Sequence, residues 1–86
     1  MANKLYCAAL YVQQYPNGRI EEGLALITPR GTAMFYTQDE SGFSALIRNI
    51  GKEKVAFLDE DIEIAGTLFS PIEENLINLI APEAVA

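Results

Sequence analysis

Residues 5–28 read Leu5-Tyr6-Cys7-Ala8-Ala9-Leu10-Tyr11-Val12-Gln13-Gln14-Tyr15-Pro16-Asn17-Gly18-Arg19-Ile20-Glu21-Glu22-Gly23-Leu24-Ala25-Leu26-Ile27-Thr28. Two runs rich in Tyr, Val, Leu and Ala flank a short group of turn formers. Asn17-Gly18 tolerates the positive φ that a tight hairpin needs, and Pro16 fixes the backbone angle leading into it. The spacing predicts an antiparallel pair, Leu5–Tyr15 against about Arg19–Thr28. On the return strand Ile20, Glu22, Leu24 and Leu26 share one face, and Glu21, Gly23, Ala25 and Ile27 share the other. The first strand is apolar at odd and even positions alike, the pattern of a strand covered on both sides.

Outward from this hairpin, Pro29-Arg30-Gly31 forms a second turn, and Thr32–Thr37 has the composition of a third strand, completing a meander. Ser41 is placed to cap a helix carrying Phe43, Leu46, Ile47 and Ile50 on one face, with Gly51 ending it. Lys54–Leu58 and Ile62–Leu68 read as two more strands, or as one long bent strand from Lys54 onward. Ser70-Pro71-Ile72-Glu73 has the form of a helix start, with Ser70 as N-cap and Glu73 completing a capping box. Its apolar stripe is Ile72, Leu76, Leu79 and Ile80, with Ile77 beside it, and the helix is expected to stop before Pro82. The order β-β-β-α-β-β-α predicts a small α+β domain: an antiparallel sheet of about five strands with two helices packed on one face. One domain spanning 1–86 is expected, with 81–86 as a frayed tail.

An 86-residue chain buries only about 60–65% of the surface its unfolded form exposes. Half of the residues are hydrophobic, so part of the apolar material must reach the surface, where a contiguous patch marks an interface. Twelve acidic and six basic residues give a net charge of −6. The sequence pI is near 4.4. That balance opposes binding to nucleic-acid phosphates and to anionic membranes. No run approaches the roughly 18 apolar residues of a membrane span. The segment Leu5–Val12 leads into Gln13-Gln14-Tyr15-Pro16 and not into a small-residue cleavage site. A single cysteine, Cys7, excludes an internal disulfide, and a cytoplasmic location is expected.

Histidine is absent, which removes the commonest general base near neutral pH and the commonest transition-metal ligand. Cys7, inside an apolar strand, is expected to be a buried and unreactive thiol. Asp59, Asp61 and Glu63, with Glu60, form the densest acidic group and are the weak candidates for a hard cation, but their spacing is not that of a calcium loop. Solvated turn and edge-strand charges account for them as well. The isolated glycines make no phosphate cradle. No cofactor is expected.

Among the aromatics, Phe35 and Tyr11 are assigned to the core, while Tyr6, Tyr15 and Tyr36 are candidates for an interface because each joins an apolar ring to a polar tip. Arg30 and Arg48 are the candidate polar anchors for a ligand. These features lead to the expectation of a small, acidic, non-catalytic protein–protein interaction or regulatory module that self-associates. Two alternatives stand beside it. One is a small-molecule binding domain with a pocket between sheet and helices or at a subunit interface. The other is an acidic inhibitor docking on a basic surface of another protein.

Overall fold

The structure, a computed structural model, describes residues 5–80. Strands β1 (Tyr6–Gln14), β2 (Ile20–Ile27) and β3 (Ala33–Tyr36) precede helix α1 (Glu40–Ile50). A 3-10 turn (Lys52–Lys54) then leads to β4 (Val55–Phe57), β5 (Ile62–Ile64), β6 (Thr67–Ser70) and helix α2 (Glu74–Ile80). The strands form one sheet in the order β3-β2-β1-β6-β5, so the α+β class with a mainly antiparallel sheet is as expected. β4 departs from that pattern by running parallel to the first residues of β1, pairing Tyr6 with Val55 and Ala8 with Phe57. β1 is therefore the central strand, and the expected stop before Pro82 and the tail 81–86 lie outside the described residues.

The meander is built on two turns of one design. Tyr15 N–H donates to Arg19 C=O at 2.8 Å and Gly18 N–H to Tyr15 C=O at 2.9 Å; Thr28 N–H donates to Thr32 C=O and Gly31 N–H to Thr28 C=O, both at 2.8 Å. Each loop is Pro-X-Gly, and each glycine has a left-handed φ, +91° at Gly18 and +92° at Gly31. This is the three-residue hairpin in which proline sets the first turn angle and glycine takes the left-handed position.

Three local expectations give way to stronger interactions. Ser41 does not cap α1; Asp39 does, its carboxylate accepting from Gly42 N–H at 3.0 Å. Residues 62–68 are not one strand. Ala65 (φ +50°) and Gly66 (φ +83°) turn the chain back, making β5 and β6 a tight hairpin with Ile64 opposite Thr67. Both central φ values are positive, as a two-residue hairpin turn requires. Ser70 does not start the last helix, because it belongs to β6, where it pairs with Leu10. The first helical bonds instead run from the N–H groups of Leu76 and Ile77 to Glu73 C=O, each at 3.0 Å. Gly51 does end α1, with φ +102° and its N–H on Ile47 C=O.

Both helices pack on one face of the sheet. Phe43 and Ile47 from α1 and Ile80 from α2 join Ala8, Leu24, Leu26, Val55 and Ile72 in the main core. In α2 and the residues before it, Ile72 and Ile80 are buried and Leu76 and Ile77 partly so, whereas Leu79 turns outward and is 70% exposed. Ser44 Oγ donates to Ile80 C=O at 2.8 Å and accepts from Arg48 Nη1 at 2.9 Å, tying the end of α2 to α1. Among the described residues no helix is long and apolar enough to cross a membrane.

Candidate functional site

The other face of the sheet carries a second, smaller cluster to which neither described helix contributes: Ala9, Tyr11, Ala25 and Phe69. Register explains its floor. Ala9 lies opposite Ala25, and Ala25 lies opposite Phe35 on β3. Two methyl groups at the centre leave room for rings from the flanking strands to fold inward over them. The Tyr11 and Phe35 ring centroids are 4.5 Å apart with a 58° tilt, and the Phe35 and Phe69 centroids are 6.4 Å apart and nearly parallel. Gly23, opposite Tyr11 in the register, makes the same allowance. A Cβ there would come within 3.0 Å of both Thr37 Cα and Tyr36 O, and within 3.3 Å of the Tyr11 ring.

The face has an apolar and a polar end. At the apolar end Ile27, Ala33, Phe35, Ile64, Thr67 and Phe69 line a groove of about 210 Å³. Phe35 is 44% and Ile64 49% exposed on its flanks. At the polar end one carboxylate gathers three hydroxyls. Glu21 Oε2 accepts from Tyr11 at 2.6 Å and from Thr37 at 3.0 Å, and Glu21 Oε1 accepts from Tyr15 at 2.9 Å. The Tyr11 and Thr37 hydroxyls also touch each other. Arg19 stacks 4.5 Å over the Tyr15 ring and lies 3.7 Å from Glu21 Oε1.

These contacts set the local electrostatics. The Tyr11 hydroxyl, followed by those of Tyr15 and Thr37, holds Glu21 below the usual carboxylate value. Burial first, then the bond to Glu21, pushes the Tyr11 phenol up. For Tyr15 the bond to Glu21 is the main cause of an upward shift. Cys7 shares this face through its pairing with Ile27, but it is partly exposed and not buried as expected. Its neighbours on β2 and β4 cover the backbone and leave the side chain only half enclosed. Burial, and then the charge of Asp59, still raise its thiol pKa.

The residues singled out from sequence do not converge. Tyr6 packs against the helix-side core, as does Tyr36, whose ring meets Phe43 edge-on at 5.6 Å. Arg30 is exposed in the second turn, and Arg48 is engaged with Ser44 between the helices. Only Tyr15 belongs to the open face. Phe35, assigned to the core from sequence, is the half-exposed flank of the groove, because the helices cover the opposite side of β3. Among the described residues no three Asp, Glu, Cys or His side chains come together to hold a metal ion, and this includes the Asp59, Asp61 and Glu63 group.

Ile64, Phe69, Glu21 and Thr37 escaped the sequence reading. The alternation Asp61-Ile62-Glu63-Ile64 was the available signal for Ile64, since it sets two isoleucines on one side of an acidic strand. Comparison of the chain with family models, curated proteins and solved structures finds no match.

Proposed function

We propose that this domain is a non-catalytic protein-interaction module that binds through the helix-free face of its sheet. The observation that carries this reading is the pair Phe35 and Ile64, half exposed on either side of an apolar groove. An apolar centre edged by polar groups (Tyr15, Arg19 and Glu21 here) is the anatomy of a protein interface. The other large exposed apolar side chains among the described residues are dispersed: Leu79 is on α2, Leu68 lies opposite Glu63 on the other side of the sheet, Ile20 opens β2 beside the first turn, and Leu5 precedes β1. Isolated exposure of that kind is ordinary for a small domain.

The chemistry on this face supports binding more than catalysis. Both oxygens of Glu21 are already occupied by hydroxyl donors, and the Cys7 thiol is pushed toward its protonated form. A groove of about 210 Å³ also falls below the ~300–1,000 Å³ of pockets that enclose a small-molecule ligand. It suits one or two side chains of a partner.

Photo-cross-linking tests the reading. Benzoylphenylalanine at position 35, irradiated in cells that make the protein, should give covalent protein adducts, while the same group at position 79 should give none. Adducts at neither position, or equal yields at both, would contradict the proposal.

A further inference from the structure

Resting on that reading, we infer that the partner binds with an extended, basic segment that adds as an antiparallel strand along the outer edge of β3. Register is the first reason. Thr28 N–H donates to Thr32 C=O, and antiparallel neighbours alternate between bonded and unbonded pairs. Along the β2–β3 register Met34 and Tyr36 therefore bond to Leu26 and Leu24, while Ala33 and Phe35 turn their N–H and C=O groups away from β2. β3 ends the strand order, so among the described residues no further strand receives these groups. An extended backbone matches donors and acceptors spaced two residues apart.

The second reason is what this edge lacks. Open edges are blunted by charge, proline or shortness. β5, at the other end of the order, is three residues long and carries Glu63, with Asp61 just before it. Thr32–Thr37 holds no charge and no proline, and no residue of β3 is fully buried. Ala33 and Phe35 also line the groove, so the edge is continuous with the open face. The small side chain of Ala33 leaves room there for a larger one on the added strand.

Charge sets the rest of the partner. The chain carries a net −6. Asp39 and Glu40 stand exposed just past the Tyr36 end of β3, and Arg30 stands exposed before the Thr32 end. An antiparallel segment brings its N-terminal end to Tyr36, so its basic residues belong there, ahead of a stretch with alternating apolar side chains.

Titration of acetyl-Lys-Lys-Val-Thr-Val-Thr-Val-amide into isotope-labelled protein tests this. The amide protons of Ala33 and Phe35 should move downfield and gain protection from exchange, while those of Met34 and Tyr36, already bonded to β2, change far less. N-methylating one alternate set of the peptide's amides should abolish binding, and methylating the other set should spare it, with the protein untouched in both cases. Ala33→Pro, which deletes an outward N–H where an edge strand tolerates proline, should also abolish binding while circular dichroism shows it folded. Glu in place of both lysines should weaken binding. Unmoved amides at Ala33 and Phe35, changes centred on β5, or binding indifferent to both methylated sets overturns the inference. A doubled chain mass without peptide, lost in Ala33→Pro, would give the edge to a second copy and overturn it too. If the peptide fails while position 35 still cross-links to another protein in Ala33→Pro, strand addition is wrong and the interaction face stands.

Discussion

Tyr11 donates its hydroxyl to Glu21 Oε2 at 2.6 Å from a ring that has no exposed surface. The two residues sit on neighbouring strands two register steps apart, since Tyr11 pairs with Gly23. The missing side chain at Gly23 lets the ring lie along the sheet and reach the carboxylate. One interaction thus joins the apolar floor of the open face to its polar end, and it keeps Glu21, the strand carboxylate on this face among the described residues, from standing free.

Removing that hydroxyl should therefore matter more than its small size suggests. Tyr11→Phe keeps the ring contact with Phe35 but gives up a hydrogen bond to a charged group, worth about 1.5–3 kcal/mol. The urea midpoint is expected to fall by the corresponding amount with an unchanged slope. Tyr15→Phe, on a ring only partly buried, should fall less.

The same group sets a pH dependence. Glu21 is held low chiefly by the Tyr11 hydroxyl, so its contribution is complete above the ordinary carboxylate value of about 4.3 and is lost as pH falls through the lower folded value. Tyr11 and Tyr15 are shifted upward. Their contribution is complete below about pH 10 and disappears as pH rises through their folded values. Melting curves should show a constant lead of the unaltered protein over Glu21→Gln between about pH 6 and 8, shrinking in acid. A lead that grows in acid would refute this assignment.

The cap of α1 can be settled by two substitutions. Asp39→Ala removes the acceptor for Gly42 N–H and should destabilise by about 1 kcal/mol, within the range of about 0.5–2. Ser41→Ala should change the midpoint by no more than about 0.5 kcal/mol, the usual scale of a surface change.

The order of elements and the meander were legible because their signals are local. Pro16-Asn17-Gly18 and Pro29-Arg30-Gly31 state their turns in three residues, and Gly51 marks a helix end by needing no Cβ at positive φ. Ser70 misled for the opposite reason: its capping signal is local, but pairing with Leu10, sixty positions earlier, prevails. The open face was hidden in the same way. Met34, Phe35 and Tyr36 are all apolar, so nothing in β3 itself tells which side the helices will cover. Tyr36 and Phe35 exchanged roles on that one non-local choice.

The β5–β6 turn escaped notice because alanine holds a position that favours glycine or asparagine. Ala65 at φ +50° is strained, so Ala65→Asn or Ala65→Gly should stabilise, by up to about 1 kcal/mol. Gly66→Ala, at φ +83° with open space around it, should destabilise by about 1 kcal/mol through backbone strain alone. Thermal denaturation of the three variants checks both signs.

The most direct measurement is photo-cross-linking from the other flank of the groove, at Ile64. Benzoylphenylalanine at position 64, irradiated in cells that make the protein, is expected to give covalent protein adducts that disappear when Phe35→Glu is introduced alongside it. Adducts that persist beside Phe35→Glu, or none at position 64 while position 79 gives them, would contradict binding through the helix-free face.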